Sequence, residues 1–215
     1  MKIKLCNRQV NCSVVRSKAT RYASLRFLNE KELVLRLPIP IPLKIFLKQN
    51  KGWMERTYLR FINKKKVLLD DRIMINGSYF SLIKNFNNEN KVKMQENALL
   101  VSAGSETSCN KLLHDFMSEL TKRFLEKKSL ELKMHNVSNL IIKSSKRRWG
   151  WCNGRTLCFN PFLASLPERL KEFVFYHELS HVYHLNHSAG FKKKLSEFLP
   201  DWRELNREMR EYSLY

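Results

Sequence analysis

No stretch of the 215 residues resembles an uncharged apolar run of 18, so no membrane-spanning helix is expected. The opening MKIKLCNRQVNCSVV carries basic residues with no apolar segment behind them, which argues against a secretory leader and for a cytoplasmic protein. The five cysteines (Cys6, Cys12, Cys109, Cys152, Cys158) are odd in number and lack CxxC spacing. Neither a disulfide framework nor a cysteine zinc cage is indicated, and reduced thiols are expected. No internal repeat is apparent. Acidic residues are scarce, 20 against 40 Lys and Arg, which gives a formal charge of +20 and a pI near 9.9.

What is present is enough for a packed core. Apolar residues make up 43% of the chain and aromatics 11%, too many for a disordered polybasic segment. The positive charge covers both halves: residues 1–110 carry 21 Lys and Arg against 8 acids, residues 111–215 carry 19 against 12. Local runs are Lys64 to Lys66, Lys146 to Arg148 and Lys192 to Lys194. Such a field attracts nucleic acid, nucleotides, anionic membrane or acidic protein without choosing among them. Each run taken singly is as well read as a solvated surface.

Residues 1–105 read as strand-rich. Alternation over Met1 to Leu5, Ala23 to Phe27 and Leu33 to Leu37 predicts short strands, and Pro38, Pro40 and Pro42 exclude a central strand beyond them. Leu43, Phe46, Leu47, Trp53, Met54 and Leu59 have helical spacing, with Gly52 the weak point. Asn76-Gly77 between Asp71 to Ile75 and Ser78 to Ile83 predicts a tight hairpin, and Lys84 to Asn97 a loop or a worn hairpin. From Gly104 the period changes. A helix is predicted from Ser108 to Lys128, strands over Val137 to Lys143 and Thr156 to Asn160, and a helix from Pro167 to about Leu185. A further helix starts at Ser188, and Asp201 with Glu204 forms a capping box for a last one. The fold class is α+β, a strand-rich part (1–105) followed by a helical and sheet domain (106–215), with one continuous unit as the alternative.

The long helix contains His177-Glu178-Leu179-Ser180-His181. Residues four apart share a helical face, so His177 and His181 can offer imidazole nitrogens to one metal ion. Glu178, offset around the helix, can reach a metal-bound water instead. This is the HExxH pattern, two ligands and a general base beside a Zn2+ that lowers the pKa of water to about 7. Four histidines (His177, His181, His184, His187) fall within eleven residues. If the helix stops at Asn186 in the left-handed conformation, His187 folds back as third ligand and leaves the open position of a catalytic site. The spacing to His187 is that of the metzincins, but His184 stands at their glycine position, which argues against that class. His184 lies one turn further along; it is read as a supporting or surface residue, because one helix cannot easily aim three successive turns at one ion. A core helix with satisfied histidines fits three spaced His and an adjacent Glu poorly. His114 and His135 are read as structural.

These residues resemble the YgjP-like metallopeptidase family, a relative of the SprT-like and WLM zincins. The likeness runs through VRSKATRYASLRF, LRLPIPIP, KRRWGWCN, LCFNPFLASLP, FVFYHELSHVYHLNHSAGF and Pro200-Asp201. It implies one zinc on His177, His181 and His187, Glu178 as base, and a small zincin scaffold of minigluzincin type. Trp151 stands where the family has a small residue. Arg147, Arg148, Trp149 and Asn153, just before the site helix, are candidate substrate contacts; an edge strand there could pair with an extended peptide, or the arginines could grip phosphates. Core packing is the plainer role for Trp149 and Trp151. Arg148, Asn153, Tyr176 and Tyr183 are unranked candidates for stabilising an oxyanion. The reading is a zinc-dependent hydrolase, foremost a metallopeptidase acting on peptide or protein. The alternatives are a metal-dependent nucleotide pyrophosphatase and a nucleic-acid-associated protein with a structural metal.

Overall fold

The computed structural model describes residues 1–132 and 137–214, so His135 lies outside the described residues. The chain divides into two compact units, residues 1–64 and 65–215.

In the first unit, β1 (Lys2–Leu5), β2 (Arg8–Ser17), β3 (Ser24–Asn29) and β4 (Glu32–Pro38) form a sheet in the order β1-β2-β4-β3. Strict alternation puts Val10 and Cys12 of β2 and Leu33, Leu35 and Leu37 of β4 on one face, buried with Phe46, Met54 and Tyr58 of α1 (Leu43–Gln49) and α2 (Lys51–Ile62). The expected single helix is two. It breaks at Asn50, whose backbone N–H and side-chain amide both donate to the Phe46 carbonyl, while Gly52 sits inside α2. β2 escaped the sequence reading because its polar ends and the consecutive Val14-Val15 blur an alternation that only Val10 and Cys12 keep.

The second unit opens with β5 (Lys65–Lys66), β6 (Arg72–Ile75), β7 (Ser78–Phe86), β8 (Lys91–Met94) and β9 (Ala98–Ala103); β6 to β9 form a sheet in the order β6-β7-β9-β8. Asn76 and Gly77 take φ of 50° and 84°, the paired left-handed residues a two-residue hairpin demands. β8 lies in the tract expected to be a loop or a worn hairpin, and it pairs antiparallel with β9. It is an edge strand, KVKM, and the two lysines that blunt it against further pairing also mask its alternation.

α3 (Glu106–Glu131) follows, capped by Ser105, whose hydroxyl accepts from the Ser108 N–H. Then come β10 (Asn139–Ile142), β11 (Gly150–Asn153) and β12 (Thr156–Phe159), in the order β10-β12-β11, and a 3-10 turn over Pro161–Ser165. α4 (Glu168–Tyr183), α5 (Ala189–Phe198), α6 (Trp202–Glu208) and β13 (Tyr212–Ser213), which pairs with β5, complete it.

The boundary near residue 105 is displaced to 64/65 because β6 to β9 share one core with α3 and α4. Ile73, Met74, Leu99 and Val101 pack with Leu113, Met117, Leu170 and Phe175. The hairpin turn is also tied in by hydrogen bonds. The N–H groups of Asn76 and Gly77 donate to the Ala164 and Ser165 carbonyls, and Lys171 Nζ donates to Asn76 Oδ1 at 2.6 Å. Asp201 does not cap α6, since its carboxylate accepts both Nη2 contacts of Arg169, at 2.7 and 2.8 Å. No helix among the described residues is long and apolar enough to cross a membrane.

Candidate metal centre

α4 stops sooner than the sequence suggests. Its last residue is Tyr183, and His184 is extended (φ −142°, ψ 107°) while its N–H still donates to the Ser180 carbonyl. The stop is made by an extended residue and not by a left-handed Asn186. Residues 184–188 then turn back until the Ser188 hydroxyl accepts from the Phe191 N–H and starts α5. This short return carries His187 to the face of α4 that bears His177 and His181.

Each of these three imidazoles offers a nitrogen, and the three nitrogens lie within 4.8 Å of one another. Nε2 of His187 and Nε2 of His177 face each other at 3.1 Å. Ligands about 2.0–2.1 Å from a tetrahedral Zn2+ sit about 3.4 Å apart, so the convergence has the scale of a metal site. His181 Nδ1 is 3.1 Å from the His184 carbonyl and donates to it, which puts the ring proton on Nδ1 and frees Nε2. His184 thus acts through its backbone, and its ring is not in the cluster. Phe191, buried, packs against all three rings at centroid distances of 5.0, 4.6 and 4.7 Å.

Burial pushes His177 down to about 4, helped by the neighbouring His181 and His187 rings; His181 is lowered chiefly by burial as well. Neutral imidazole is the form that binds metal. His177 turns Nε2 to the cluster, and its Nδ1, on the far side of the ring, is buried with no hydrogen-bond partner among the described residues. The residues fit a zinc ion.

Glu178 points to the other side of the same cleft, buried against β11. Burial pushes its carboxyl up to about 7, against the Arg148 charge and a hydrogen bond from the Cys152 backbone N–H. A Cβ on Gly150 would stand 2.8 Å from Glu178 Cγ, so only glycine lets strand and carboxylate approach this closely. The cleft has two lobes that share Phe173, His177 and Asn206. One, about 170 Å3, is bounded by Arg148, Trp149, Gly150 and Glu178; the other, about 370 Å3, by His187, Phe191, Leu195 and Trp202.

Of the expected substrate contacts, Arg148 and Trp149 line the cleft, while Arg147 and Asn153 are exposed and do not. Tyr176 stacks on Phe198 and Tyr183 lies beneath Lys194, which leaves Arg148 beside Glu178 among the four oxyanion candidates. Sequence reading missed Asn206, Trp202 and Phe191, which reach the cleft from α5 and α6. It also missed Asn160, whose side-chain amide donates to the Ser145 and Arg148 carbonyls (2.7 and 3.2 Å) and holds the arginine loop. Its one signal was the Asn160-Pro161 step, where Asn160 Oδ1 caps the following turn by accepting from the Phe162 N–H.

An α+β fold whose helix carries HExxH, completed by a histidine from the next loop, defines a protein of the metallopeptidase class. The chain belongs to the YgjP-like metallopeptidase family: residues 21–212 match the family model described as YgjP-like, metallopeptidase domain. Among solved structures, the metallopeptidase zymogen of Pyrococcus abyssi abylysin is similar at 19% identity and a TM-score of 0.37, over 44% of this chain and 99% of that one. No curated protein is a significant match.

Proposed function

We propose that this chain is a zinc-dependent peptidase in which His177, His181 and His187 hold the ion and Glu178 is the general base. The observation that carries this reading is the meeting of three imidazole nitrogens within 4.8 Å, beside a buried carboxyl that contributes nothing to that set. Bound Zn2+ supplies a Lewis acid for the scissile carbonyl and acidifies water. Glu178 takes a proton from the attacking water on a carboxylate oxygen and returns it to the amine nitrogen as the C–N bond breaks. Burial raises this carboxyl above its ordinary value, which favours uptake of the proton from water. β11, the edge of its sheet, offers backbone groups to an extended peptide, and the larger lobe, walled by Phe191, Leu195 and Trp202, suits an apolar substrate side chain.

Arg148 in the smaller lobe favours a second reading, hydrolysis of a nucleoside triphosphate whose phosphates it would grip. One experiment tests both: the zinc-loaded protein with a peptide library and a nucleotide panel, alongside Glu178→Gln. We expect peptide cleavage, reduced at least about a hundredfold in the variant with zinc retained. Unchanged turnover in the variant would sink the mechanism, and cleavage of nucleotides alone would replace the substrate.

A further inference from the structure

Charge in this protein is concentrated in the first unit. Residues 1–64 hold 15 Lys and Arg against 3 acids, residues 65–215 hold 25 against 17. The alternation that buries Leu33, Leu35 and Leu37 against the helices turns the other residues of the sheet outward. Strand register then places Lys2 beside Asn11 and Lys4 beside Gln9 at one corner, and Arg26 beside Val34 and Arg36 beside Ser24 toward the opposite one. All four basic residues are exposed, and none has an ion-pair partner among the described residues.

Two of the three acids of the unit are engaged away from this face, and the third is tied within it. Glu55 accepts from the Cys6 N–H, Glu30 pairs with Arg8, and Glu32, the one acid on the open face, accepts from the Asn29 amide.

We infer that the open face of the β1-β2-β4-β3 sheet binds single-stranded nucleic acid. Strand spacings of about 4.8 Å and 3.3 Å per residue put Lys4 and Arg36 about 20 Å apart, a diagonal that a short single strand can follow. Between them Gln9, Asn11 and Ser13 present hydrogen-bonding groups for phosphate and sugar. At the Arg36 end, two residues before β3, stands Tyr22, 82% exposed and next to Arg21, an aromatic surface on which a base can stack. The face is four strands wide, broader than the helix or two-stranded ribbon that a duplex groove admits. Its apolar members, Val15, Leu28 and Val34, are few and scattered among polar and charged residues, too sparse to anchor it in a bilayer.

The test uses the full chain, with labelled single-stranded DNA and RNA 20-mers, a duplex and phosphatidylserine vesicles, titrated with salt from about 50 mM, where phosphate contacts are strongest. Three charge-removal variants are compared: Lys2, Lys4, Arg26 and Arg36 to Gln; Lys44, Lys48, Arg56 and Arg60 of the helices to Gln; and Lys146, Arg147 and Arg148 to Gln. The sheet variant should lose at least about tenfold in affinity for single strands and about three units of salt slope, and the other two much less. Equal binding of DNA and RNA supports readout of phosphate and base stacking, and preference for RNA supports added contact with the 2′-hydroxyl. Equal losses in the sheet and helix variants, a larger loss in the Lys146 to Arg148 variant, tighter binding of duplex or vesicles, or no binding at all would each overturn the assignment. Should the fourfold variant fail to fold, Arg36→Gln and Tyr22→Ala singly must each still weaken binding several-fold.

Discussion

Residues 1–64 and 65–215 dispose of their charges differently. In the first unit no charged residue is buried among those described, and most lysines and arginines face solvent. In the second, Lys128, Lys171 and Glu178 are drawn inside, each with a partner. Lys128 Nζ lies 2.8 Å from both Glu131 and Glu172, Lys171 lies 2.7 Å from Glu168, and Glu178 accepts from the Cys152 N–H. Burying a charge is unfavourable unless it is paired, so such groups sit only where surrounding structure holds them. A single excess of +20 thus covers two situations, a solvated surface in one region and a built interior in the other. Among the described residues, only the second draws charged side chains into low-dielectric surroundings, where pKa values shift for chemistry.

The sharpest way to break this comparison is to remove a ligand from the built interior. Purified protein should hold about one zinc per chain, and His177→Ala, His181→Ala and His187→Ala should each lose most of it, while His184→Ala keeps it. Metal analysis decides the matter: full retention in His187→Ala would leave the returning loop without a ligand, and loss in His184→Ala would put that ring in its place. Next in size is Gly150→Ala. The new methyl meets Glu178 Cγ at 2.8 Å, so strand or carboxylate must move, and hydrolysis should fall about a hundredfold with zinc retained. Wild-type turnover in that variant would show that Glu178 needs no such close approach.

The smallest effect concerns the buried pairs. Burial would raise the Glu172 carboxyl, but hydrogen bonds from Lys128 and Arg169 outweigh it and hold the group below its ordinary value. Burial would lower the Lys128 ammonium, but Glu131 and Glu172 hold it above the usual lysine range. The carboxylate contribution is therefore present above about pH 4.3 and lost as pH falls through the lowered folded value; the ammonium contribution is present below about pH 10.4 and lost only as pH rises through the raised one. Lys128→Met should cost about 1–3 kcal/mol in urea unfolding at pH 7, a gap that narrows below about pH 4. An equal gap at pH 3 and pH 7 would remove the ion pairs as its cause.

Sequence alone determined whatever depends on near neighbours along the chain. The i, i+4 spacing fixed His177 and His181 to one face, Asn76-Gly77 specified its turn, and alternation marked β1, β3 and β4. HExxH with its flanking motifs was enough to read the family. Tertiary structure alone decided what depends on packing between distant segments. The sheet β6 to β9 belongs with α3 and α4 because they bury a common core, which local periodicity does not encode. The Glu178 carboxyl became buried only when Gly150, 28 positions earlier, brought an edge strand against it. His187 was readable as the candidate third ligand, but the turn that brings its ring to His177 and His181 depends on Ser188 starting α5 and Phe191 packing under three rings. Side-chain identity limits which chemistry is available; the low-dielectric surroundings that set its pKa exist only once remote segments have excluded water.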